Sequence, residues 1–379
     1  MTKPPVVVLS GVRWGFLWQR HQTVATLFAR AGYPTVFVET TGLSNPRPSA
    51  LRKVGARLWG GRTGRGGVGG APGGPPVYPP LVLPPTLRVF RAANRRFFLP
   101  RMVRDLERMA GRRPVVVAYP PTRTTLDLIS ALDPRLVLYD RADDYTRFPG
   151  VPKDMAATER ELLARADLVT CTSTPLLEGA RRVRPDATLS GPAVDYELFA
   201  PLQDRPPAVP PRLVCFFGDA GRGRVDFGVL RAIAKRGFRV RLVGALDHTE
   251  ANITGEPNVE HAGEVPHQRL PAALAGVDAF VLPYKINGLT RGISPAKTYE
   301  CLATGRPVVA APLPALEELA GRVYLADGPE GFVEVLQNLP NTETLEGVRA
   351  RIELARENSW DVRFREIETL ILRALGDGP

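Results

Sequence analysis

The chain has few cysteines and few histidines, and their placement argues against several classes of protein. Its three cysteines, Cys171, Cys215 and Cys301, are widely separated, and each lies in an apolar stretch. Three such residues offer neither a disulfide framework nor the paired spacing of a zinc site, so we expect a reducing compartment. The four histidines show no ligand spacing with carboxylates, so the sequence predicts no metal site.

Long apolar runs are also missing. No window approaches the roughly 18 uninterrupted apolar residues of a membrane-spanning helix. The run Val6–Leu9 near the N-terminus is too short for a secretory signal. We therefore expect a cytoplasmic protein. Its 379 residues, 44% of them hydrophobic, suffice for two domains with substantial cores.

Lysine is scarce, with 6 residues against 44 arginines, and the net charge of +11 is concentrated in one part of the chain. Residues 47–113 carry a net charge of +13, whereas the rest of the chain carries −2. One interpretation is an anionic partner: a membrane surface, phosphate, an acidic polymer or nucleic acid. The other is a compositional bias toward Arg, Pro, Gly and Ala. Within 86–113 the arginines alternate with aromatic and aliphatic residues, which favours an interfacial helix on anionic lipid.

The order of apolar segments predicts an α/β fold. A buried strand at 6–9, a helix over 19–31 and a strand at 35–39 form a βαβ unit, which implies a parallel sheet. Residues 60–80 are rich in Gly and Pro and are expected to form a flexible insertion. Further strands are predicted at 115–119, 135–140, 167–172, 212–217, 238–243, 258–261, 278–282 and 306–310. Further helices are predicted at 86–113 (two pieces around Pro100), 124–132, 154–166, 175–184, 225–236, 267–275, 295–304, 314–320 and 344–376 (broken near Asn358).

A Pro-rich hinge at 205–212 divides this series into two. We therefore predict two tandem Rossmann-like, doubly wound domains facing a cleft, at 1–200 and 201–357. A C-terminal helix, 358–379, is expected to pack back on the first domain. Such sheets bind ligands at the carboxyl ends of their strands, so the cleft is the expected site.

The sharpest local pattern begins at Ser294. This residue is a good N-cap, and Pro295 suits the first helical position. The amides of Ala296 and Lys297 would then form an anion site, to which the lysine adds positive charge. Glu300, one turn further on, could accept hydrogen bonds from two ribose hydroxyls. The alternative is an ordinary capped helix that carries Glu300 on its surface.

A second phosphate candidate directly follows the strand at 212–217. Gly218 and two later glycines let the backbone approach a ligand, and Arg222 and Arg224 supply bidentate donors. The glycine spacing is not that of the dinucleotide-binding fingerprint. The alternative is a mobile surface loop with solvated arginines.

The N-terminal half offers two candidate groups for an acceptor. Gly11 and Trp14 follow the first strand, where the indole could stack on a sugar or an isoprenoid, and Arg20 and Gln22 could hydrogen-bond. Packing at the helix start is the competing interpretation. Three aspartates cluster at the end of a strand, where one could orient or deprotonate an acceptor hydroxyl. They could equally cap a turn. These residues are Asp140, Asp143 and Asp144.

Several stretches together resemble a known family. In the C-terminal half they are 258–266 (NVEHAGEVP), 282–287 (LPYKIN) and 294–309 (SPAKTYECLATGRPVV). In the N-terminal half they are Trp14 with 19–22 (QRHQ), 139–144 (YDRADD) and 191–195 (GPAVD), and Ser359-Trp360-Asp361 with Arg363 closes the series. The chain resembles the GT-B glycosyltransferases of family 4, the older group 1, most closely the branch of teichuronic-acid-type enzymes.

The resemblance implies a nucleoside-diphosphate sugar as donor, with UDP or GDP as its nucleotide. Glu300 would bind the ribose and the amides of 296–297 the β-phosphate. Arg224, or Arg222, would bind the leaving diphosphate, and Gly263 to Val265 would run beside the base. A glutamate of the wider family is replaced here by Gly292. The donor sugar would then contact Asn287 or Arg291.

The resemblance also implies catalysis without a metal or other cofactor and, usually, with retention of configuration. Arg224, Lys297 and the helix start would stabilise the departing diphosphate, each by about 3 kcal/mol. The acceptor would be a cell-envelope polysaccharide or a lipid-linked glycan at the inner face of the plasma membrane. A sugar-nucleotide epimerase or hydrolase is one alternative. A non-enzymatic basic binding protein is another, although the sequence contains no recognisable nucleic-acid module.

Overall fold

The structure is a computed structural model that describes residues 3–15, 18–39, 73–83, 88–148, 150–204, 207–221 and 223–376. Most of the predicted insertion at 60–80 lies outside the described residues, as does Arg222. The chain divides into two compact units. The first contains Met1–Thr172, Leu176–Leu189 and Glu366–Pro379, and the second contains Ser173–Pro175 and Ser190–Arg365.

The first unit is built on a parallel sheet of seven strands. In chain order they are β1 (Val6–Leu9), β2 (Thr35–Val38), β3 (Val77–Tyr78), β4 (Val115–Ala118), β5 (Leu136–Arg141), β6 (Leu168–Cys171) and β7 (Thr188–Leu189). Their spatial order is β3-β2-β1-β4-β5-β6-β7. Strands β1, β2 and β4 are completely buried, which is why they read as continuous runs of valine and other apolar residues.

The helices that connect these strands end close to the predicted positions. They are α1 (Arg20–Arg30), α2 (Arg88–Ala93), α3 (Leu99–Met109), α4 (Arg123–Leu132), α5 (Met155–Arg165) and α6 (Thr174–Arg181). The predicted break at Pro100 is wrong. Five residues of π-helix, Asn94–Phe98, join α2 to α3, and Pro100 lies in the first turn of α3, where a proline needs no amide donor.

The second unit repeats the same topology with six strands. They are β8 (Leu213–Phe217), β9 (Arg239–Val243), β10 (Val259–His261), β11 (Ala279–Leu282), β12 (Val308–Ala310) and β13 (Tyr324–Leu325). The spatial order β10-β9-β8-β11-β12-β13 is the doubly wound 3-2-1-4-5-6 arrangement, and every pairing is parallel. The order reverses beside β8, so the switch point lies between the ends of β8 and β11.

The helices of the second half of the chain include two that sequence patterns did not predict. They are α7 (Tyr196–Phe199), α8 (Phe227–Lys235), α9 (Leu270–Ala273), α10 (Lys297–Ala303), α11 (Pro314–Glu317), α12 (Gly328–Thr342), α13 (Leu345–Glu357) and α14 (Trp360–Ala374). One is the four-residue α7, and the other is α12, which begins at Gly328-Pro329 and contains Pro340. Its buried residues pack into the core of the unit, so packing outweighs these helix-breaking signals. The break between α13 and α14 at Asn358 is confirmed.

Candidate functional site

Three glycines line the carboxyl edge of the second sheet. Gly218 ends β8 with φ 105°, Gly244 follows β9 with φ 122°, and Gly263 follows β10 with φ 73°. The amide of Gly218 donates to the carbonyl of Val243 at 2.7 Å, and the amide of Gly244 donates to the carbonyl of Gly263 at 2.7 Å. A Cβ on Gly244 would overlap the Gly218 carbonyl, so only glycine fits there. This edge therefore presents bare backbone on which a ligand can lie.

The Lys297 side chain reaches from the start of α10 to this edge. Its Nζ donates to the carbonyl of Phe217 at 2.6 Å and lies 4.3 Å from the centroid of the Phe216 ring. The Tyr284 ring is 5.7 Å from the same nitrogen. A Cβ on Gly218 would collide with the ammonium group. The structure thus brings Lys297 and Gly218, 79 positions apart in the chain, into contact at the switch point.

Glu300 lies on the same face of α10 as Lys297, because the two residues are three positions apart. Its Oε1 is 3.0 Å from Nε2 of His267, in the turn that precedes α9. Both side chains are 16% exposed. The hydrogen bond and the negative charge of Glu300 outweigh the opposing effect of burial, so the pKa of His267 is raised. Sequence analysis considered this histidine only as a possible metal ligand and missed its contact with Glu300.

The helix start differs from the prediction. Ser294 is not the N-cap: α10 begins at Lys297, and Ala296 occupies the cap position without a side-chain hydrogen bond. The amide of Thr298 instead donates to the carbonyl of Pro295 at 2.9 Å, which is a tight, three-residue turn. The backbone at 294–296 still lies at the carboxyl edge, since it leads from β11 into α10.

Two loops support each other beside this edge. The side chain of Asn287 donates to the carbonyl of Gly223 at 2.9 Å, and the amide of Lys285 donates to the carbonyl of Arg224 at 2.8 Å. Asn287 also accepts from the amides of Leu289 and Thr290. The guanidinium of Arg224 is 3.6 Å from the carboxylate of Asp219. Asn287 therefore organises a turn, while Arg224 remains 40% exposed and within reach of an anion.

At the corresponding edge of the first sheet, a buried histidine holds the turn after β1. The amide of Gly11 donates to Nδ1 of His21 at 3.1 Å, and the Ser10 hydroxyl lies 2.9 Å from the same nitrogen. Because an amide can only donate, Nδ1 is unprotonated and Nε2 carries the proton, 3.4 Å from the Tyr145 hydroxyl. Burial lowers the pKa of His21 to about 3, so the ring is neutral at physiological pH.

Asp140 forms a buried ion pair rather than facing an open site. Its Oδ2 accepts from Nε of Arg20 at 2.6 Å, and its Oδ1 accepts from the Thr170 hydroxyl at 2.9 Å. The two ionised side chains are 9% and 1% exposed. With both oxygens occupied and no open surface, Asp140 cannot take a proton from an acceptor hydroxyl in this structure. To act as base or to contact an acceptor, Asp140 and Arg20 would have to separate, and both roles stay predictions.

The remaining acceptor candidates divide into capping residues and accessible ones. Gln22 is buried and accepts from the Gln19 amide in a capping box at the start of α1. Asp144 caps a short turn and accepts from the amide of Thr146 at 3.2 Å. Trp14 is half-buried and packs edge-on against Phe37, with centroids 4.9 Å apart. Asp143 is partly exposed and lies two residues past the end of β5.

Part of the basic segment is neutralised by neighbouring acids. Arg91, Arg95 and Arg113 pair with Asp154, Asp127 and Asp133, which lie outside residues 47–113, at 2.6, 2.6 and 3.4 Å. By contrast, Arg96, Arg101 and Arg104 are exposed and form no ion pair with any described residue. Among the described residues of this segment, the charge available to a partner is therefore smaller than composition alone indicates, and these three unpaired arginines lie on one stretch of α2 to α3.

No group of three or more His, Cys, Asp or Glu side chains in the described ranges is arranged to hold a metal ion. None of the helices in the part of the chain that the structure describes has the length and apolar character needed to span a bilayer.

Comparisons with known proteins agree on one class. Residues 227–341 match the family model "Glycosyl transferases group 1". "Putative teichuronic acid biosynthesis glycosyltransferase TuaH" of Bacillus subtilis (strain 168) is 26% identical over 240 residues, which is 57% of this chain and 59% of that protein. Sucrose-phosphate synthase from Thermosynechococcus elongatus superposes with a TM-score of 0.67 at 15% identity, over 99% of this chain and 100% of that one. HepE of Anabaena, in complex with UDP-glucose, superposes with a TM-score of 0.65 at 13% identity, over 97% of this chain and 99% of that one.

Two doubly wound parallel sheets with glycine-rich carboxyl edges define the GT-B fold class, and the chain has this fold. The match over 227–341 and the relative in Bacillus subtilis show that the chain is similar to the group 1 glycosyltransferases.

Proposed function

We propose that this protein transfers a sugar, of the hexose type, from a nucleoside-diphosphate sugar to a hydroxyl of a cell-envelope polysaccharide or lipid-linked acceptor. The observation that carries the proposal is the placement of Lys297 and Glu300. The Lys297 ammonium group lies against the Gly218 turn, and the Glu300 carboxylate lies one helical turn further along α10. Both are at the switch point of a doubly wound sheet. A diphosphate and a ribose need groups of these two kinds.

The reaction would be driven by stabilisation of the departing nucleoside diphosphate. Lys297 is held by Phe217 and its aromatic neighbours, so its charge needs little reorganisation when the leaving group becomes more negative. Arg224 is accessible on the neighbouring loop. It would leave its ion pair with Asp219 and bind the diphosphate. No step calls for a metal, and the anomeric configuration would be retained. HepE, a structural relative, is known in complex with UDP and with UDP-glucose, which supports UDP as the nucleotide.

The acceptor would bind to the first unit. The Gly11 amide is held by His21, and the half-buried Trp14 ring packs against Phe37. Such a fixed indole suits stacking on a sugar ring or an isoprenoid. TuaH, a sequence relative, is named for teichuronic acid biosynthesis, which supports an envelope polysaccharide as the acceptor class.

Replacing Glu300 tests the donor site. Glu300→Ala removes a carboxylate that would accept two charge-assisted hydrogen bonds, each worth about 1.5–3 kcal/mol. Loss of both bonds costs about 3 kcal/mol at the lower bound, so the dissociation constant for the preferred nucleotide should rise roughly 100-fold or more. A panel of UDP, GDP, ADP and their sugars, measured by thermal shift and calorimetry, will identify that nucleotide and quantify the loss.

Glu317→Ala is the matched control, because Glu317 is an exposed carboxylate on α11 in the same unit. It should bind nucleotide like the native protein. Failure of every nucleotide to stabilise the native protein would contradict the transferase proposal. Undiminished binding by Glu300→Ala would contradict the ribose assignment alone.

We further propose that α2 to α3 docks on an anionic membrane at the cytoplasmic face. Val89 and Phe97 are 67% and 68% exposed, and the guanidinium of Arg96 lies 5.9 Å from the Phe97 ring. Exposed apolar side chains with adjacent unpaired arginines are typical of a helix that lies in the lipid interface. Binding of nucleic acid would account for the arginines but not for the exposed apolar side chains.

Co-sedimentation with vesicles tests this surface. Three arginines near an anionic surface contribute about 1 kcal/mol each, so Arg96→Ala/Arg101→Ala/Arg104→Ala should lower the partition coefficient on phosphatidylglycerol-containing vesicles by roughly 100-fold. Arg182→Ala/Arg236→Ala/Arg322→Ala removes three exposed arginines elsewhere and should have little effect. Equal recovery on anionic and neutral vesicles, or none on either, would eliminate the docking proposal.

A further inference from the structure

The carboxylate assigned to the ribose is held by a second residue of the chain. Nε2 of His267 lies 3.0 Å from Oε1 of Glu300, and 33 positions separate the two residues. The histidine lies on a short turn, His267–Arg269, directly after Pro266. The contact therefore joins the loop after β10 to the first turns of α10.

The surroundings hold the imidazole in place. Its ring packs edge-on against Phe199 with centroids 5.9 Å apart, and Phe199 is fully buried. The carboxylate of Asp195 acts on it electrostatically from the segment before α7. Both side chains of the His267–Glu300 pair are 16% exposed, so the contact is largely shielded from water.

Only one oxygen of Glu300 is engaged. Oε1 faces His267, whereas Oε2 has no hydrogen-bond partner among the residues that the structure describes. A carboxylate oxygen can accept two hydrogen bonds, so Oε2 and the second lone pair of Oε1 remain for a ligand. The two sides of the carboxylate thus serve different partners.

We propose that His267 is a positioning residue for nucleotide binding: it holds the Glu300 carboxylate in the orientation that accepts the ribose hydroxyls. This inference rests on the proposed function of the site. A free glutamate side chain must lose rotamer freedom when a ligand binds. His267 imposes that order before the nucleotide arrives, so it contributes to affinity without touching the nucleotide.

Protonation of the imidazole would strengthen this role. Burial lowers its pKa, but the hydrogen bond and charge of Glu300 and the charge of Asp195 raise it by more, so the net shift is upward. A protonated imidazole gives a charge-assisted hydrogen bond to the carboxylate, which is stronger than a neutral one. His267 contacts the carboxylate assigned to the ribose and not a group assigned to the diphosphate, so the rate of the chemical step should not depend on it.

Two substitutions separate positioning from packing. His267→Phe keeps a ring against Phe199 but removes the donor. His267→Gln keeps an N–H donor at a similar distance from the backbone. We expect His267→Phe to raise the dissociation constant for the nucleotide, and KM for the nucleotide sugar, roughly 5- to 10-fold with kcat unchanged. His267→Gln should recover most of that loss, and Gln268→Ala, an exposed neighbour on the same turn, should bind like the native protein.

A double-mutant cycle gives the decisive comparison. Once Glu300 is alanine, nothing remains for the histidine to position, so His267→Phe/Glu300→Ala should bind nucleotide as Glu300→Ala does. Additive losses, or a fall in kcat instead of a rise in KM, would overturn the proposal, as would weak binding by His267→Gln in a protein with native circular dichroism. If Glu300→Ala weakens binding and His267→Phe does not, the positioning role fails and the proposed function stands. If no nucleotide binds the native protein, both fail.

Discussion

Lys297→Met should lower kcat for sugar transfer by about 10²- to 10³-fold, the range seen when one donor to a developing negative charge is removed. Methionine keeps an unbranched stem among Phe216, Phe217 and Tyr284 while it removes the ammonium group. Since Lys297 would act most strongly on the departing diphosphate, kcat and kcat/KM should fall together, and KM should change little. Steady-state kinetics with the nucleotide sugar found by the binding panel provide the measurement.

The same substitution should not destabilise the fold. Lys297 is half-buried, and its charge is largely surrounded by rings and backbone, so an apolar side chain of similar size fits the site. We expect an unchanged or higher melting temperature without ligand, together with the loss of rate. Lys235→Ala, an exposed lysine in the last turn of α8, is the control and should leave the rate as it is. A native rate for Lys297→Met would contradict the assignment of this residue to the leaving group.

Asp140→Asn should destabilise the protein by about 3–5 kcal/mol, because it leaves the Arg20 guanidinium buried beside a neutral amide. The native pair is 2.6 Å long and almost inaccessible. Urea denaturation followed by circular dichroism, without nucleotide, should show the lower midpoint. The loss of activity should then follow the loss of folded protein, in keeping with a positioning role for Asp140.

Asp133→Asn is the matched control for this change. Asp133 pairs with Arg113 at 3.4 Å, but the two side chains are 81% and 64% exposed. An exposed pair contributes about 0–1 kcal/mol, so this variant should be close to native stability. If Asp140→Asn is stable but has lost transfer activity, Asp140 takes part directly in the reaction.

Much of the fold could be predicted from local patterns. The valine runs at 6–9 and 115–118 have no polar alternation because both faces of a parallel strand are covered by helices. The two-residue strands β3, β7 and β13 carry too few residues for such a pattern, and sequence analysis missed all three. Helix α12 was missed for a different reason, since Pro340 and Gly328 are unfavourable signals that only its packing overcomes.

The residues of the candidate site also divide into those that sequence patterns predicted and those that they missed. Gly218, Lys297 and Glu300 were predicted because glycine, lysine and glutamate at the carboxyl ends of strands have recognisable chemistry. The partners that orient them were not predicted, because they lie far away in the chain. Phe217 is 80 positions from Lys297, His267 is 33 from Glu300, and Asp140 is 120 from Arg20.

The amino-acid sequence was enough to predict the α/β class, most strands and helices and the candidate donor-side residues, and to show the resemblance to GT-B glycosyltransferases. Each of these depends on short-range patterns of burial and residue chemistry. Three features follow only from tertiary packing. They are the buried ion pair of Asp140 with Arg20, the pairing of several arginines of the basic segment, and the contact of His267 with Glu300. These outcomes depend on which side chains the sheet topology brings within hydrogen-bonding distance, and spacing along the chain does not encode that distance.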